Sequence, residues 1–133
     1  MKLTPLDTLF SEYIRRRAIQ RVGGCERCLT TKIDIVKDNG EIYPDYKQLQ
    51  CSHFIGRARR AVRHDEDNAV GLCAGCHMFF TAHPLEHVQW FMEYLGEEKV
   101  DLLLARNRIR EKPDVEAITL YLQTKINGLE GGK

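Results

Sequence analysis

The sequence has no long apolar run, and no stretch approaches the roughly 18 residues that a membrane-spanning helix requires. The opening segment MKLTPLDTLF lacks the basic-then-apolar build of a secretory signal, so a cytoplasmic protein is expected. An excess of either charge is missing too. Lys and Arg number 20 against 19 Asp and Glu, a net of +1, so any argument for a nucleic-acid partner must rest on where the arginines lie. There is no internal repeat and no low-complexity linker. What remains is ordinary for a soluble folded protein, with 43% hydrophobic and 29% charged residues in a chain of 133. That length suits one compact unit over residues 1–133.

Cysteine is present in an informative pattern. Four of the five form Cys25-x-x-Cys28 and Cys73-x-x-Cys76. In a reducing compartment, short-spaced pairs hold metal more often than they form disulfides. The two-residue spacer lets both sulfurs of a pair point at one ion, and two pairs complete the four soft ligands of tetrahedral zinc. The alternative, buried reduced thiols, is the weaker one, because chance rarely repeats one spacing in this way. Such a closed site supplies folding energy and leaves no coordination position for substrate.

Local signals predict the elements. Thr4, Pro5 and Asp7 read as an N-cap, a first-turn proline and a capping-box acid. Leu6, Leu9, Phe10, Tyr13 and Ile14 give the helix an apolar stripe, and Gly23-Gly24 ends it. A hairpin turning at Asp38-Asn39-Gly40 is predicted within residues 31–50. Strands are predicted over Gln48–Ile55 and Asn68–Leu72, with an arginine-rich loop between them and a helix from Cys73 to about Phe80. His83-Pro84 opens a helix with an expected buried face of Leu85, Val88, Phe91, Met92 and Leu95, stopped by Gly96. Two more helices are predicted, Glu97–Arg108 and Asp114–Ile126, followed by a frayed tail from Gly128 to Lys133. The expected divisions are a helix over 1–22, a zinc-clamped core over 24–82, a helical extension over 84–127 and a tail over 128–133.

The order His53, Asn68, Cys73-x-x-Cys76-His77 resembles the HNH signature of ββα-metal nucleases, in the subgroup clamped by a two-knuckle zinc. The resemblance implies an α+β fold with a small ββα-metal core between an N-terminal helix and C-terminal helices. It implies that His53 deprotonates a water, Asn68 ties the loop between the strands, and His77 binds a catalytic Mg²⁺ or Mn²⁺. Those residue types suit phosphodiester hydrolysis, which needs a base of near-neutral pKa and positive charge at the phosphate. Gln50-Cys51-Ser52-His53-Phe54, Arg63-His64-Asp65-Glu66-Asp67-Asn68 and Cys73-Ala74-Gly75-Cys76 also resemble the phage NinG/Rap family of recombination nucleases, over roughly residues 24–106. That implies a phage-encoded enzyme working on DNA in a host cytoplasm.

One position departs from the common pattern. Many HNH enzymes carry an Asp or His before the base as first ligand of the catalytic ion, and Ser52 stands there in this chain. A neutral hydroxyl is a weak ligand for a hard dication. Cys51, His83 and His87 are further groups weighed for the role. A second reading of His77 makes it a substitute zinc ligand.

Arg57, Arg59, Arg60 and Arg63 lie between His53 and Asn68 with no acid among them, and guanidinium forks suit phosphate oxygens. Contact with the DNA backbone is expected there, with no aromatic ladder to suggest stacking on single strands. Arg15, Arg16, Arg17 and Arg21 form a second basic stretch on the first helix. The leading expectation is a metal-dependent DNA endonuclease, monomeric or homodimeric, and the alternative is a non-catalytic zinc-stabilised DNA- or protein-binding module.

Overall fold

A computed structural model describes residues 2–109 and 112–131. The chain is α+β, with five helices and two two-stranded sheets among the described residues. Helix α1 spans Pro5–Val22. The Thr4 hydroxyl accepts from Asp7 N, and Asp7 Oδ2 accepts from Thr4 N at 2.7 Å, closing a capping box. Gly23 ends the helix at φ 72°, the left-handed conformation that glycine adopts without a Cβ clash.

Strands β1, Ile35–Val36, and β2, Ile42–Tyr43, form the predicted hairpin, with Gly40 at φ 85° in its turn. A 3-10 turn over Asp45–Gln48 leads into β3, Gln50–His53. β3 pairs antiparallel with β4, Ala69–Leu72, in the register Cys51 to Gly71 and His53 to Ala69. Both strands are shorter than predicted. Leu49 donates its N–H back to Tyr46 O, and the Ile55 amide goes to the Asn68 side chain, so neither extends the ladder. At the other edge, Asn68 N bonds Asp65 O and so belongs to a 3-10 turn over Glu66–Asn68.

Helix α2, Ala74–Ala82, follows β4 directly, then come α3, Pro84–Leu95, α4, Glu97–Arg108, and α5, Val115–Gly131. α5 corrects the expected tail from Gly128, since the helix continues through Gly131 with Leu129 packed on a core cluster. Residues 132 and 133 of that expected tail lie outside the described residues.

Apolar burial forms two clusters, and α1 and β4 contribute to both. Ala18, Leu49, Val70, Leu72, Phe80 and Phe91 make the first, while Leu6, Phe10, Ile14, Ala69, Leu122 and Ile126 lead the second. α1 crosses β4 so closely that a Cβ on Gly71 would stand 2.7 Å from Ala18 Cβ. The expected buried face of α3 is corrected: Leu85, Val88 and Met92 are exposed, and only Phe91 of that set is fully buried. The packed face is aromatic instead. His87 and Trp90 lie against Phe80, at 4.9 and 5.5 Å between ring centroids, and Tyr94 stacks on Trp90. Large flat rings at i and i+3 cover more of Phe80 than branched aliphatics would, and an aliphatic stripe count overlooks them.

Candidate metal centre and histidine cleft

The cysteines converge because each pair sits on a defined local structure. Cys25 and Cys28 occupy the turn after α1, where Leu29 N bonds Cys25 O at 2.9 Å and Cys25 N bonds Thr30 O at 3.1 Å. Cys73 caps α2, and Cys76 lies in its first turn, with its amide on Cys73 Sγ. All four sulfurs lie within 4.8 Å of one another, and Cys28 Sγ is 3.8 Å from Cys73 Sγ. A tetrahedral ion with metal–sulfur bonds of about 2.3 Å needs sulfurs roughly 3.8 Å apart, so this donor set fits a metal such as zinc.

Two neighbours complete the centre. Arg27 Nη1 donates to Cys76 Sγ at 3.4 Å, and its guanidinium lies over Phe79 and Phe80, so a cation stands ready to offset the charge that four metal-bound thiolates would carry. Glu26 is buried and accepts from Gly71 N at 2.7 Å and Tyr94 OH at 2.6 Å, fastening the turn to β4 and α3. The Thr30 hydroxyl beside Cys28 brings that thiol down to about 6, while burial pushes Cys76 up to about 12. Sequence reasoning missed Glu26 and Arg27, because a charged pair inside a Cys-x-x-Cys spacer looks like solvated filler.

His53 ends β3 and His77 lies in α2, and both line one cleft of about 550 Å³ together with Asp7, Ser11, Arg15 and Arg57. His53 Nε2 lies 2.9 Å from Arg63 O. A carbonyl only accepts, so Nε2 carries the hydrogen and Nδ1 keeps its lone pair. Burial holds the His53 pKa below its ordinary 6.5, against an opposing contribution from that carbonyl. His77 Nδ1 is buried with no hydrogen-bond partner.

Asn68 is fully buried. Its Oδ1 accepts from Ile55 N at 2.7 Å, and its Nδ2 donates to Ile55 O and Val62 O, both at 2.9 Å. It ties the two ends of the loop between β3 and β4. Ser52 is buried beneath β3 opposite Val70 and is not part of the cleft lining, as strand alternation turns it to the other face from His53. Cys51 does line the cleft, but burial raises its thiol to about 12, which keeps it protonated near neutral pH.

The arginine cluster is dispersed. Arg57 faces the histidine cleft, Arg59 and Arg60 line a different hollow of about 680 Å³ with Arg108 and Lys112, and Arg63 forks onto Asp7. On α1, only Arg15 reaches the histidine cleft. Arg17 is buried and donates to Glu66 O and Ala69 O at 2.8 Å, and Arg16 pairs with Glu12 and Glu130. His83 stacks on Phe79 and donates Nδ1–H to its carbonyl, and His87 Nε2 is buried without a partner.

His77 lines the cleft, and its unpartnered Nδ1 is buried beneath that lining. Among the described residues, the four cysteines are the only converging group of three or more His, Cys, Asp or Glu donors. No described helix is long and apolar enough to cross a membrane. Compared with family models, curated proteins and solved structures, the chain matches none of them.

Proposed function

We propose that the chain is a metal-dependent endonuclease of the HNH type that hydrolyses phosphodiester bonds in DNA, with a structural zinc on Cys25, Cys28, Cys73 and Cys76. The observation that carries this reading is the meeting of His53 and His77, from β3 and α2, in one cleft edged by Arg15 and Arg57. His53 presents an unprotonated Nδ1 with a lowered pKa, which suits a general base that takes a proton from water near neutral pH. Asn68 holds the loop that carries the arginines. Arg57 and Arg15 receive phosphate oxygens, and Arg59 and Arg60 touch the backbone further from the scissile bond. His77 would be a protein ligand of Mg²⁺ or Mn²⁺, and a bound divalent cation supplies positive charge for the phosphate and the leaving oxygen. The resemblance to phage recombination nucleases extends the proposal to branched DNA as substrate and a phage origin.

Incubation with supercoiled plasmid and with a synthetic four-way junction, with and without Mg²⁺ or Mn²⁺, tests the reading. Cation-dependent cleavage of either substrate is expected, and intact DNA under all conditions refutes it. The alternative, a non-catalytic zinc-stabilised module that binds DNA or protein, is favoured by one observation: no three-donor cation site other than the cysteines converges among the described residues. DNA binding without cleavage at millimolar cation selects it.

A further inference from the structure

We propose that Asp7, in the first turn of α1, is a positioning residue for His53, acting through the Arg63 main chain. The consequence for rate rests on the nuclease reading above, whereas the consequence for the His53 ring does not.

Asp7 is only 8% exposed, yet its carboxylate is crowded with donors. Arg63 forks onto it, with Nε 2.8 Å from Oδ1, and His64 Nε2 donates to the same oxygen at 2.8 Å. Thr4 adds its N–H and its hydroxyl, at 2.7 and 2.9 Å. Two consecutive loop residues are thereby locked to a helix 56 and 57 positions earlier in the chain. The next link is the Arg63 carbonyl, which accepts from His53 Nε2 and so sets the tautomer that leaves Nδ1 basic. Phe10, one turn along α1, lays its ring against both imidazoles, 5.6 Å from His53 and 5.7 Å from His64. The same helix therefore fixes the base from its ring face and, through Arg63, from its edge.

A carboxylate is what this position needs. Arg63 and His64 bring only donors, and an amide in place of Asp7 would offer one acceptor and turn an NH₂ toward a guanidinium. Burial alone would raise the Asp7 pKa, but the hydrogen bonds from Arg63, Thr4 and His64 outweigh it and hold the group well below the ordinary carboxylate range. The Arg63 side chain, expected from its sequence context to touch phosphate, is thus occupied in placing its own carbonyl.

The test uses the zinc-loaded full chain and reads both the His53 tautomer, by long-range proton–nitrogen NMR, and cleavage. The unsubstituted chain should show one Nε2–H tautomer at His53. Asp7→Asn should show mixed tautomers, and cleavage should fall roughly ten- to a hundredfold at saturating DNA, with Kd little changed. Thr4→Ala is the comparison: it removes the helix cap and one hydroxyl donor to Asp7 but leaves Arg63 and His64 on the carboxylate, so Tm should fall with a much smaller change in tautomer and rate than Asp7→Asn gives. Should Asp7→Asn fail to fold, Arg63→Ala cuts the same link from its other end and keeps the carbonyl, and the same two changes are expected. A folded variant with an undisturbed Nε2–H tautomer overturns the proposal, whatever its rate. Equal responses from Thr4→Ala and Asp7→Asn overturn it as well, because they make Asp7 a cap and nothing more. If the unsubstituted chain cuts no DNA, the nuclease reading fails, while the tautomer measurement still decides the role of Asp7.

Discussion

The cysteine centre and the histidine cleft are built by opposite routes. Each half of the cysteine centre is local, a two-residue spacer on a turn or a helix start, and only the joining of the halves is long-range. The cleft has no local half. Asp7 and Arg15 come from α1, His53 from β3, Arg57 from the loop just after it and His77 from α2, so three separate stretches of the chain must meet to form it. The closed centre converges four like donors that fit one ion, whereas the cleft brings His53 and His77 together with no such converging set among the described residues. Saturated ligation suits holding the chain together, and open valence suits chemistry.

The strongest way to break the comparison is to remove the metal. Chelation, or Cys73→Ser, should abolish cooperative unfolding, since structural zinc sites contribute on the order of 10 kcal/mol or more to folding. Metal analysis of the intact chain should find close to one zinc per chain, and a folded zinc-free protein would refute the structural assignment. The cleft should respond in the reverse sense. His53→Ala should lower cleavage about a hundredfold or more, as loss of a general base does, and leave zinc content and Tm nearly unchanged. Full activity in that variant would move the base elsewhere, with His64 the next group to examine.

Asn68→Ala probes the joint between the two regions. It removes three hydrogen bonds from a fully buried site, so chemical denaturation should show a loss of about 2–4 kcal/mol, with cleavage reduced as well. The pH dependence is a smaller effect. His53 works as a base only when neutral, so cleavage should rise with pH through its pKa and then level off. Because burial lowers that pKa, the acidic limb should have its midpoint below 6.5, and a midpoint above 7 would contradict the buried, Arg57-facing environment. The smallest change separates the arginines. Arg57→Ala should reduce the slope of log Kd against log salt by about one, as a lost phosphate contact does. Asp7→Asn, which releases Arg63, should leave that slope unchanged or steepen it.

Much of this was legible without coordinates. The α1 cap, Gly23, the Asp38-Asn39-Gly40 hairpin and the Cys-x-x-Cys turns act over a few residues, where backbone geometry leaves few options. The errors fall where a residue's partner is distant. Arg63 looked like one of four loop cations until Asp7 claimed it, and Arg17 looked like one more cation of the basic stretch on α1 until Glu66 and Ala69 presented carbonyls to it. On α3, the aliphatic stripe gave way to His87 and Trp90 because Phe80 lies across from them. The tail at Gly128 became helix because Leu129 finds apolar neighbours in the second cluster.

By itself, then, the sequence determined where α1 begins and ends and which sulfurs share an ion-sized turn, both consequences of backbone geometry and short-range hydrogen bonding. Tertiary structure alone decided which charges meet phosphate and which meet protein, and which nitrogen of His53 is free. Those outcomes depend on acceptors such as Asp7 and the Arg63 carbonyl, which lie far along the chain or on the main chain. Long flexible side chains take whichever partner the packing of α1 on β4 brings within reach.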